Sequence, residues 1–276
     1  MPRTWFITGA SRGFGKEWSI AALERGDTVA ATARDPRTLD DLVEQFGDKV
    51  LPIQLDVNDR DAVFAAVQQA HDRFGALDVV VNNAGYGQFG MVEEISEAEA
   101  RAQFDTNVFG ALFVTQAALP YLREQGSGHI LQVSSIGGIS AFPNIGIYNA
   151  SKWALEAFSQ SLAAEVADFG IKVTIIEPGA YSTDWGSASA KHATANPAYD
   201  AYREKAAEAR KARTGNSGDP VATRDAVLKV VDAENPPLRI FFGDGPLTVA
   251  TRDYESRLAT WREWESTSVA AHGIKA

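Results

Sequence analysis

A tyrosine and a lysine four positions apart are the residues in this sequence best suited to acid–base chemistry. Tyr148 and Lys152 stand in the stretch Tyr-Asn-Ala-Ser-Lys, and on a helix this spacing places the phenol beside the ammonium. A phenol with an ordinary pKa of about 10 is a weak acid at neutral pH. A neighbouring cation favours the phenolate and is expected to lower that pKa. The pair could then donate a proton to a developing alkoxide or accept one from an alcohol.

Further polar residues that could join this pair lie earlier in the chain. Ser134 and Ser135 end a predicted strand, and Asn107 lies inside an apolar helical stretch. An asparagine within a helix can also bond its own backbone, so a structural role for Asn107 stands beside the functional one.

The first turn of the chain, Thr8–Gly15, is rich in glycine and lies between a predicted strand and a predicted helix. Glycine allows a tight turn and close approach of a ligand. The helix N-terminus presents N–H groups and the positive end of its dipole to an anion. This context predicts a site for the pyrophosphate of a dinucleotide, although the glycine spacing differs from G-x-G-x-x-G and a purely structural turn is the alternative.

The same turn also contains Gly9-x-Ser11-x-Gly13, the nucleophile string of α/β-hydrolases. In those enzymes the nucleophile follows a strand deep in the sheet order, whereas here it would follow the first strand. The histidines are scattered and have no obvious acidic partner, which disfavours a hydrolase and gives no metal-ligand spacing. They are His71, His129, His192 and His272.

Short apolar runs alternate with longer helical stretches along the chain, as in a parallel sheet covered on both faces. Strands are predicted at Trp5–Thr8, Thr28–Ala33, Val50–Leu55, Val79–Asn82, His129–Ser134, Val173–Ile176 and Leu238–Phe242. Helices are predicted at Gly13–Arg25, Arg37–Phe46, Arg60–Phe74, Glu97–Glu124 and Ser151–Asp168. The fold class is therefore α/β, a doubly wound parallel sheet of about seven strands with helices on both faces.

We expect residues 1–276 to form one domain, with two segments that depart from the alternation. Residues 183–220 are polar and contain one helical stretch, which is typical of a substrate loop. A helical tail at about 247–266 carries Tyr254, Leu258, Trp261 and Trp264 at helical spacing. This spacing favours a helix that faces the core, with a sister subunit as the alternative partner.

Composition excludes several classes of protein. The 276 residues carry 26 basic and 36 acidic side chains, a net charge of −10, so binding to nucleic acid or to an anionic membrane is not expected. The absence of cysteine excludes disulfides and thiolate metal sites and is consistent with the cytoplasm. No apolar run reaches the roughly 20 residues that span a bilayer, and the first residues do not resemble a signal peptide.

Five ordered motifs make the sequence, from about Thr4 to Gly243, resemble the classical short-chain dehydrogenase/reductases. They are Thr8-Gly9-x-x-x-Gly13-x-Gly15, Asn82-Asn83-Ala84-Gly85, Ser135 thirteen residues before the tyrosine, Tyr148-x-x-x-Lys152, and Pro178-Gly179. The resemblance implies a Rossmann-like sheet and hydride transfer between NAD(P)(H) and a carbonyl or secondary alcohol. A non-catalytic NADP(H)-binding sensor on the same fold is the alternative, which the complete catalytic set disfavours.

The resemblance also implies a role for each catalytic residue. Tyr148 would be the general acid in reduction and the general base in oxidation, and Ser135 would hydrogen-bond the substrate oxygen. Lys152 would hold the nicotinamide ribose and lower the phenol pKa, and Asn107 would anchor a water of the proton relay. Ser135 is preferred over Ser134 because the family serine lies three residues before a glycine, here Gly138.

The cofactor preference is inferred from the end of the second strand. An acid there selects NAD in this family, but the position holds Ala33, with Arg34 next and Arg12 in the glycine turn, which favours NADP(H). Asp35 could weaken that preference, so NAD(H) stays possible. The implied cofactor-binding residues are Gly9, Ser11, Arg12, Gly13, Phe14, Gly15, Arg34, Asp56, Val57, Asn83, Ala84, Gly85, Tyr148, Lys152, Pro178, Gly179 and Thr183.

Within the family, the chain looks most like the 17β-hydroxysteroid and retinol dehydrogenase branch, on the stretch 31–39 and the long loop after Pro178. Aromatic and polar residues at the family's substrate positions suggest an apolar ketone or secondary alcohol: Phe142, Asn144, Tyr181 and Trp185. The resemblance further implies a homodimer or homotetramer formed through Glu97–Glu124 and Ser151–Asp168.

Overall fold

A parallel sheet is the centre of the computed structural model, which describes residues 2–183, 185, 189–212 and 217–273. Within these ranges seven strands pair in the order β3-β2-β1-β4-β6-β7-β9, all parallel. They are β1 Thr4–Ile7, β2 Thr28–Ala33, β3 Val50–Gln54, β4 Val79–Asn82, β6 Gly128–Val133, β7 Ile171–Pro178 and β9 Arg239–Phe242. The strand order reverses at β1, so the predicted doubly wound, Rossmann-like class is confirmed.

Helices cover both faces of this sheet. In chain order they are α1 Gly13–Arg25, α2 Asp40–Phe46, α3 Arg60–Phe74, α4 Glu97–Phe104, α5 Ala111–Gln125, α6 Gly146–Val166, α7 Asp200–Ala212, α8 Thr223–Asp232, α9 Pro246–Glu263 and α10 Glu265–Ala271. One core layer joins α1, α2 and α8 to the sheet, and the opposite layer joins α3, α5 and α6 to it. The strands are accordingly apolar on both faces, as with Trp5 in the first layer and Phe6 in the second.

Besides shifted boundaries, such as the start of α6 at Gly146 instead of Ser151, the observed elements differ from the predicted ones at four places. The helix predicted over Glu97–Glu124 is interrupted between α4 and α5 by a π-helical segment, Asp105–Gly110. The helix predicted from Arg37 begins as a 3₁₀ turn, Pro36–Leu39, before α2. The helix α8 and a separate two-stranded ladder were not predicted. That ladder pairs β5 Gln88–Phe89 with β8 Lys191–His192.

The C-terminal helices lie mostly away from the core, so the prediction of a core-facing tail is wrong. Only the beginning of α9 is buried, at Pro246 and Ala250. Trp261 and Trp264 are 60% and 59% exposed, and Tyr254 and Leu258 are exposed as well. Helical spacing specifies which side chains share a face, but it does not specify what covers that face.

None of the helices in the described ranges is both long enough and apolar enough to cross a membrane.

Candidate active site

The helix α6 places the predicted acid–base pair at the carboxyl end of the sheet. This helix begins at Gly146, so Tyr148 and Lys152 both lie on it, and both side chains are buried. Lys152 Nζ donates to the carbonyl oxygen of Val133, the last residue of β6, at 2.7 Å. The same nitrogen lies 5.8 Å from the centroid of the Tyr148 ring. The ammonium is therefore close to the phenol and held by the sheet.

Ser135 is the second residue after β6 and lies next to the phenol ring. Its Oγ accepts a hydrogen bond from the backbone N–H of Gly137 at 3.0 Å, and the serine is close enough to Tyr148 to lower the pKa of that phenol. A Cβ on Gly137 would lie 3.3 Å from both Ser135 Oγ and Tyr148 Cε1. The glycine thus leaves room for the serine and the tyrosine to meet.

The pKa values of this pair reflect its burial. Burial raises the pKa of Tyr148 to about 12, while the hydrogen bond to Ser135 lowers it. The expected lowering of the phenol pKa by Lys152 is not among the causes of this shift. Complete desolvation dominates, and the ammonium is directed at the Val133 carbonyl instead. Burial also lowers the pKa of Lys152 to about 8, and the negative charge of Glu156 opposes that decrease.

Asn107 lies in the π-helical segment and bonds outside its own helix. Its Nδ2 donates to the carbonyl oxygen of Tyr86 and to Ser151 Oγ, both at 3.1 Å, and its Oδ1 accepts from the N–H of Tyr86 at 3.1 Å. Ser151 Oγ in turn donates to the carbonyl oxygen of Tyr148 at 2.7 Å. The amide therefore connects the segment after β4 to the helix that carries the tyrosine, and the structural alternative of a local backbone bond does not describe it.

The glycine turn is locked by residues that follow β4. Thr8 Oγ1 accepts hydrogen bonds from the N–H groups of Asn83 and Ala84, each at 3.0 Å. Asn83 Nδ2 donates to the carbonyl oxygens of Thr8 and Gly9 at 2.8 and 3.0 Å. A Cβ on Gly15 would lie 2.4 Å from Gly9 O and 2.5 Å from Asn83 Nδ2. A glycine is required there, and the roles of Thr8 and Asn83 as supports were missed from sequence.

The other predicted cofactor residues surround the same edge of the sheet. A Cβ on Gly13 would lie 3.7 Å from Thr183 Cγ2, and one on Gly85 would lie 3.7 Å from Lys152 Nζ. Gly179 donates its N–H to the carbonyl oxygen of Phe242 at 2.9 Å. The remaining ones lie at the glycine turn, after β2 and β3, and at the end of β7: Ser11, Arg12, Phe14, Arg34, Asp56, Val57 and Pro178.

The region after β2 contains one exposed arginine and one aspartate that is already bound by a second arginine. Arg34 follows β2 directly and is exposed. Asp35 accepts hydrogen bonds from Arg37 Nε at 2.9 Å and Arg37 Nη2 at 2.7 Å, which hold the pKa of that carboxyl below its usual value. The acid that could have opposed an incoming phosphate is thus already paired.

The predicted substrate residues do not all meet at the phenol. Trp185 does, with its ring centroid 5.0 Å from that of Tyr148. Phe142 is tied to α6 through its carbonyl oxygen, which accepts from Asn149 Nδ2 at 2.8 Å. Asn144 has a positive φ of 67° and accepts through its carbonyl oxygen from the Gly90 N–H at 2.9 Å. Tyr181 lies edge-on to Phe14 at 4.9 Å, against the core layer of α1.

Two further sets of residues around this site were missed from sequence. Phe89 and His192, from the β5–β8 ladder, stack on each other at 5.0 Å, and Phe89 lies 5.3 Å from Trp185. Their signal is weak because two-residue strands leave no periodic pattern. The second set is a pair of buried carboxyl groups, Glu156 and Glu177. No group of three or more residues suited to hold a metal occurs in the described part of the chain.

Known proteins with the same organisation include curated relatives and solved structures. The family model described as short chain dehydrogenase matches residues 3–194. The chain is 42% identical over 273 residues to oxidoreductase BOA17 of Botryotinia fuckeliana, covering 98% of this chain and all of that protein. A short-chain dehydrogenase from Streptomyces avermitilis superposes with a TM-score of 0.90 at 41% identity, covering 98% of this chain and 99% of that chain.

An alcohol dehydrogenase from Thermococcus sibiricus, solved in complex with 5-hydroxy-NADP, is more distant. It superposes with a TM-score of 0.73 at 27% identity and covers 88% of this chain and 96% of that chain. The matched motifs, the sheet order and these similarities agree with one another. The chain therefore belongs to the short-chain dehydrogenase family of oxidoreductases.

Proposed function

We propose that the protein transfers hydride between NADP(H) and a carbonyl or secondary alcohol, and that it works as a reductase of apolar ketones. The observation that carries this proposal is the convergence of Ser135, Tyr148 and Lys152 beside the turn Thr8–Gly15. As a member of its family the protein is an NAD(P)-dependent oxidoreductase that acts on CH–OH groups.

The residues at the edge of the sheet fit a nicotinamide dinucleotide. The turn approaches Asn83 so closely that a Cβ on Gly15 would clash, and α1 begins directly in that turn. Such a cradle, together with the helix N-terminus, suits a pyrophosphate group. When bound, the nicotinamide supplies or accepts the hydride. Lys152 would hold the adjacent ribose, and Thr183 would contact the carboxamide.

Residues of this chain carry out the proton transfer. In reduction, Ser135 donates a hydrogen bond to the carbonyl oxygen while the carbonyl carbon receives the hydride. Tyr148 gives its hydroxyl proton to that oxygen, and the alcohol forms with no charge left on it. The phenolate then regains a proton from solvent through a relay that includes a water at Asn107. Lys152 stabilises the phenolate between these steps by its positive charge.

The preference for NADP(H) is supported by charge at the end of β2. Arg34 is exposed there, and Asp35 is already paired with Arg37. A guanidinium suits a 2′-phosphate because its donors match phosphate oxygens in a bidentate manner. The Thermococcus sibiricus enzyme is a family member that was solved with an NADP derivative.

The preference for apolar ketones is supported by the rings beside the phenol. Trp185 lies against Tyr148, and Phe89 lies against Trp185. An apolar substrate would gain contact area with such rings, whereas a charged one would lose hydration.

The deciding experiment is a screen of carbonyl compounds, monitored by the loss of NADPH absorbance. We expect turnover with apolar ketones, and we expect Tyr148→Phe to reduce kcat by roughly 10²–10⁴-fold, the usual contribution of a general acid. NADPH affinity should stay close to that of the wild type. Tyr254→Phe, at an exposed tyrosine of α9, is the matched control and should keep full activity.

Two outcomes would contradict the proposal. NADPH binding without turnover across the whole panel would favour the sensor. Loss of NADPH binding in Tyr148→Phe in step with activity would reject the role given to the phenol.

We also propose that the protein forms a homodimer or homotetramer through α4, α5 and α6. Phe109, in the π-helical segment, and Trp153, on α6, are large apolar side chains that stay exposed in the single chain. Exposed apolar residues on neighbouring helices are typical of subunit contacts. Light scattering measures the mass in solution, and a monomer at micromolar concentration would contradict this proposal.

A further inference from the structure

Two buried carboxyl groups lie behind the active-site lysine. Glu156 is one helical turn after Lys152 on α6, and Glu177 lies near the end of β7. They are 5% and 1% exposed. Both approach one guanidinium, because Arg239 Nε of β9 lies 3.0 Å from Glu156 Oε2 and 3.4 Å from Glu177 Oε1. Arg239 also donates to Gln160 at 2.9 Å.

One guanidinium therefore serves two buried carboxyl groups. Two carboxylates that share such a site do not both ionise readily, and one of them keeps a proton. Burial, and after it the negative charge of Glu156, raises the pKa of Glu177 to about 8. Burial raises the pKa of Glu156 as well.

Three buried oxygens around the carboxyl groups lack a hydrogen-bond partner among the described residues, and a shared proton would provide a donor for them. They are Glu156 Oε1, Glu177 Oε1 and Ser134 Oγ. A Cβ on Gly138 would lie 2.5 Å from Ser134 Oγ and 3.2 Å from Glu156 Oε1, so these two oxygens are neighbours. Buried polar oxygens of this kind are costly unless a donor reaches them.

We propose that Glu156 and Glu177 share one proton and act as positioning residues that set the charge of Lys152. The proposal rests on the catalytic role of Lys152 in the proposed function. The carboxyl groups act through Lys152 and are not placed against the substrate or the cofactor. The charged groups that face them are Lys152 from α6 and Arg239 from β9, and the segment after β6 adds the Ser134 hydroxyl.

The two glutamates have opposite effects on the lysine. The negative charge of Glu156 raises the pKa of Lys152, which burial lowers to about 8. Glu156 thus keeps the ammonium protonated at neutral pH. Glu177 competes with it for the single negative charge and so limits that support. A residue that only filled space would not give effects of opposite sign.

The test follows the charge of Lys152 directly, by NMR titration of protein with ¹³C-labelled lysine, with Lys152→Met to assign the signal. We expect Glu156→Gln to move the Lys152 midpoint to lower pH by on the order of one unit. Glu177→Gln should move it to higher pH, because Glu156 then ionises more fully. Glu156→Asp keeps the charge and should restore most of the midpoint. Glu255→Gln, an exposed glutamate of α9, is the matched control.

The pH profile of kcat/KM then connects this titration to turnover. Its alkaline limb should move with the Lys152 midpoint, down in Glu156→Gln and up in Glu177→Gln. An unchanged midpoint in Glu156→Gln, or shifts of the same sign in both variants, would overturn the inference even if the enzyme turns over. Shifts of opposite sign in a protein that reduces no ketone would support the inference and would reject the proposed function instead.

Discussion

The indole ring of Trp185 lies against the phenol ring of Tyr148, with ring centroids 5.0 Å apart and planes inclined by 56°. Phe89 follows at 5.3 Å from Trp185, and His192 stacks on Phe89 at 5.0 Å. The phenol of Tyr148 is therefore the first ring of a continuous aromatic row. A Cβ on Gly87 would lie 2.7 Å from the indole, so the backbone also supports Trp185 closely.

Trp185→Ala should reduce activity in a manner that depends on substrate size. An aromatic contact contributes about 0.5–1.5 kcal/mol beyond the area it buries, so kcat/KM for bulky apolar ketones should fall roughly tenfold. Small aliphatic ketones should be much less affected, and Trp185→Phe should keep most of the activity. The measurement is kcat/KM across a series of ketones of increasing size. An equal loss for small and large ketones would mean that Trp185 supports the phenol and not the substrate.

Arg34→Ala should weaken the discrimination between NADPH and NADH. A hydrogen bond to a charged group contributes about 1.5–3 kcal/mol, so kcat/KM for NADPH should fall roughly 10–100-fold while that for NADH changes little. Arg262→Ala, an exposed arginine of α9, is the control. The comparison is the ratio of kcat/KM for the two cofactors at fixed ionic strength, and an unchanged ratio would reject the role of Arg34.

Gly15→Ala should disturb the glycine turn. The new Cβ would lie 2.4 Å from Gly9 O, which is backbone and cannot rotate away. Such overpacking costs about 1–3 kcal/mol, and the shifted turn should lose affinity for the dinucleotide. Gly245→Ala is a matched control because nothing lies within 4 Å of its Cβ position. Thermal midpoints and NADPH titrations of both variants measure the difference. Equal thermal midpoints and NADPH affinities in the two variants would contradict the proposal that the glycine turn binds the dinucleotide.

His129 should make the protein sensitive to acid. Burial, with smaller contributions from Lys172 and Arg3, lowers its pKa to about 3. The unfolded chain takes up this proton near pH 6.5, so the stabilisation is complete above that pH and is lost as the pH falls toward 3. We expect the free energy of unfolding in urea to decrease by on the order of 2–3 kcal/mol from this residue between pH 7.5 and 4.5.

Replacing that histidine by an uncharged residue tests the assignment. His129→Gln should show a smaller decrease in unfolding free energy over the same pH range, since glutamine does not titrate. His272→Gln, at an exposed position, should behave as the wild type does. A decrease in His129→Gln as large as that of the wild type would mean that other groups cause the acid sensitivity.

The sheet and the order of its strands could be predicted because their signals are local. Each strand is a short apolar run, and glycines such as Gly26 and Gly75 end helices in the left-handed conformation. The candidate residues of the site could be proposed from sequence, because the motifs are defined by the spacing of residues along the chain. The pKa of Tyr148 could not be predicted in this way, because it depends on how completely the folded chain buries the phenol.

Features set by tertiary contacts were missed or misjudged. The aromatic residues of α9 have the spacing of a covered face, yet Trp261 is mostly exposed, because spacing carries no information about a partner. The helix α8 was not predicted, although Asp219 and Pro220 form a helix-start signal just before it. The ion pairs of Glu156 and Glu177 with Arg239 join α6, β7 and β9, which are distant from one another in sequence.

The π-helical segment Asp105–Gly110 has a consequence for how this chain tolerates insertions and deletions. A π turn accommodates one residue more than an α turn, so the helix after it is rotated by about 100° relative to the helix before it. Buried Gln103 lies on one side of this step and buried Val114 on the other. Deleting Thr106 would allow a regular α-helix, but one of these two faces would then turn away from its neighbours. The extra residue of the π turn therefore sets the rotation of α5 relative to α4. A deletion at this point would expose one of the two buried faces and destabilise the fold.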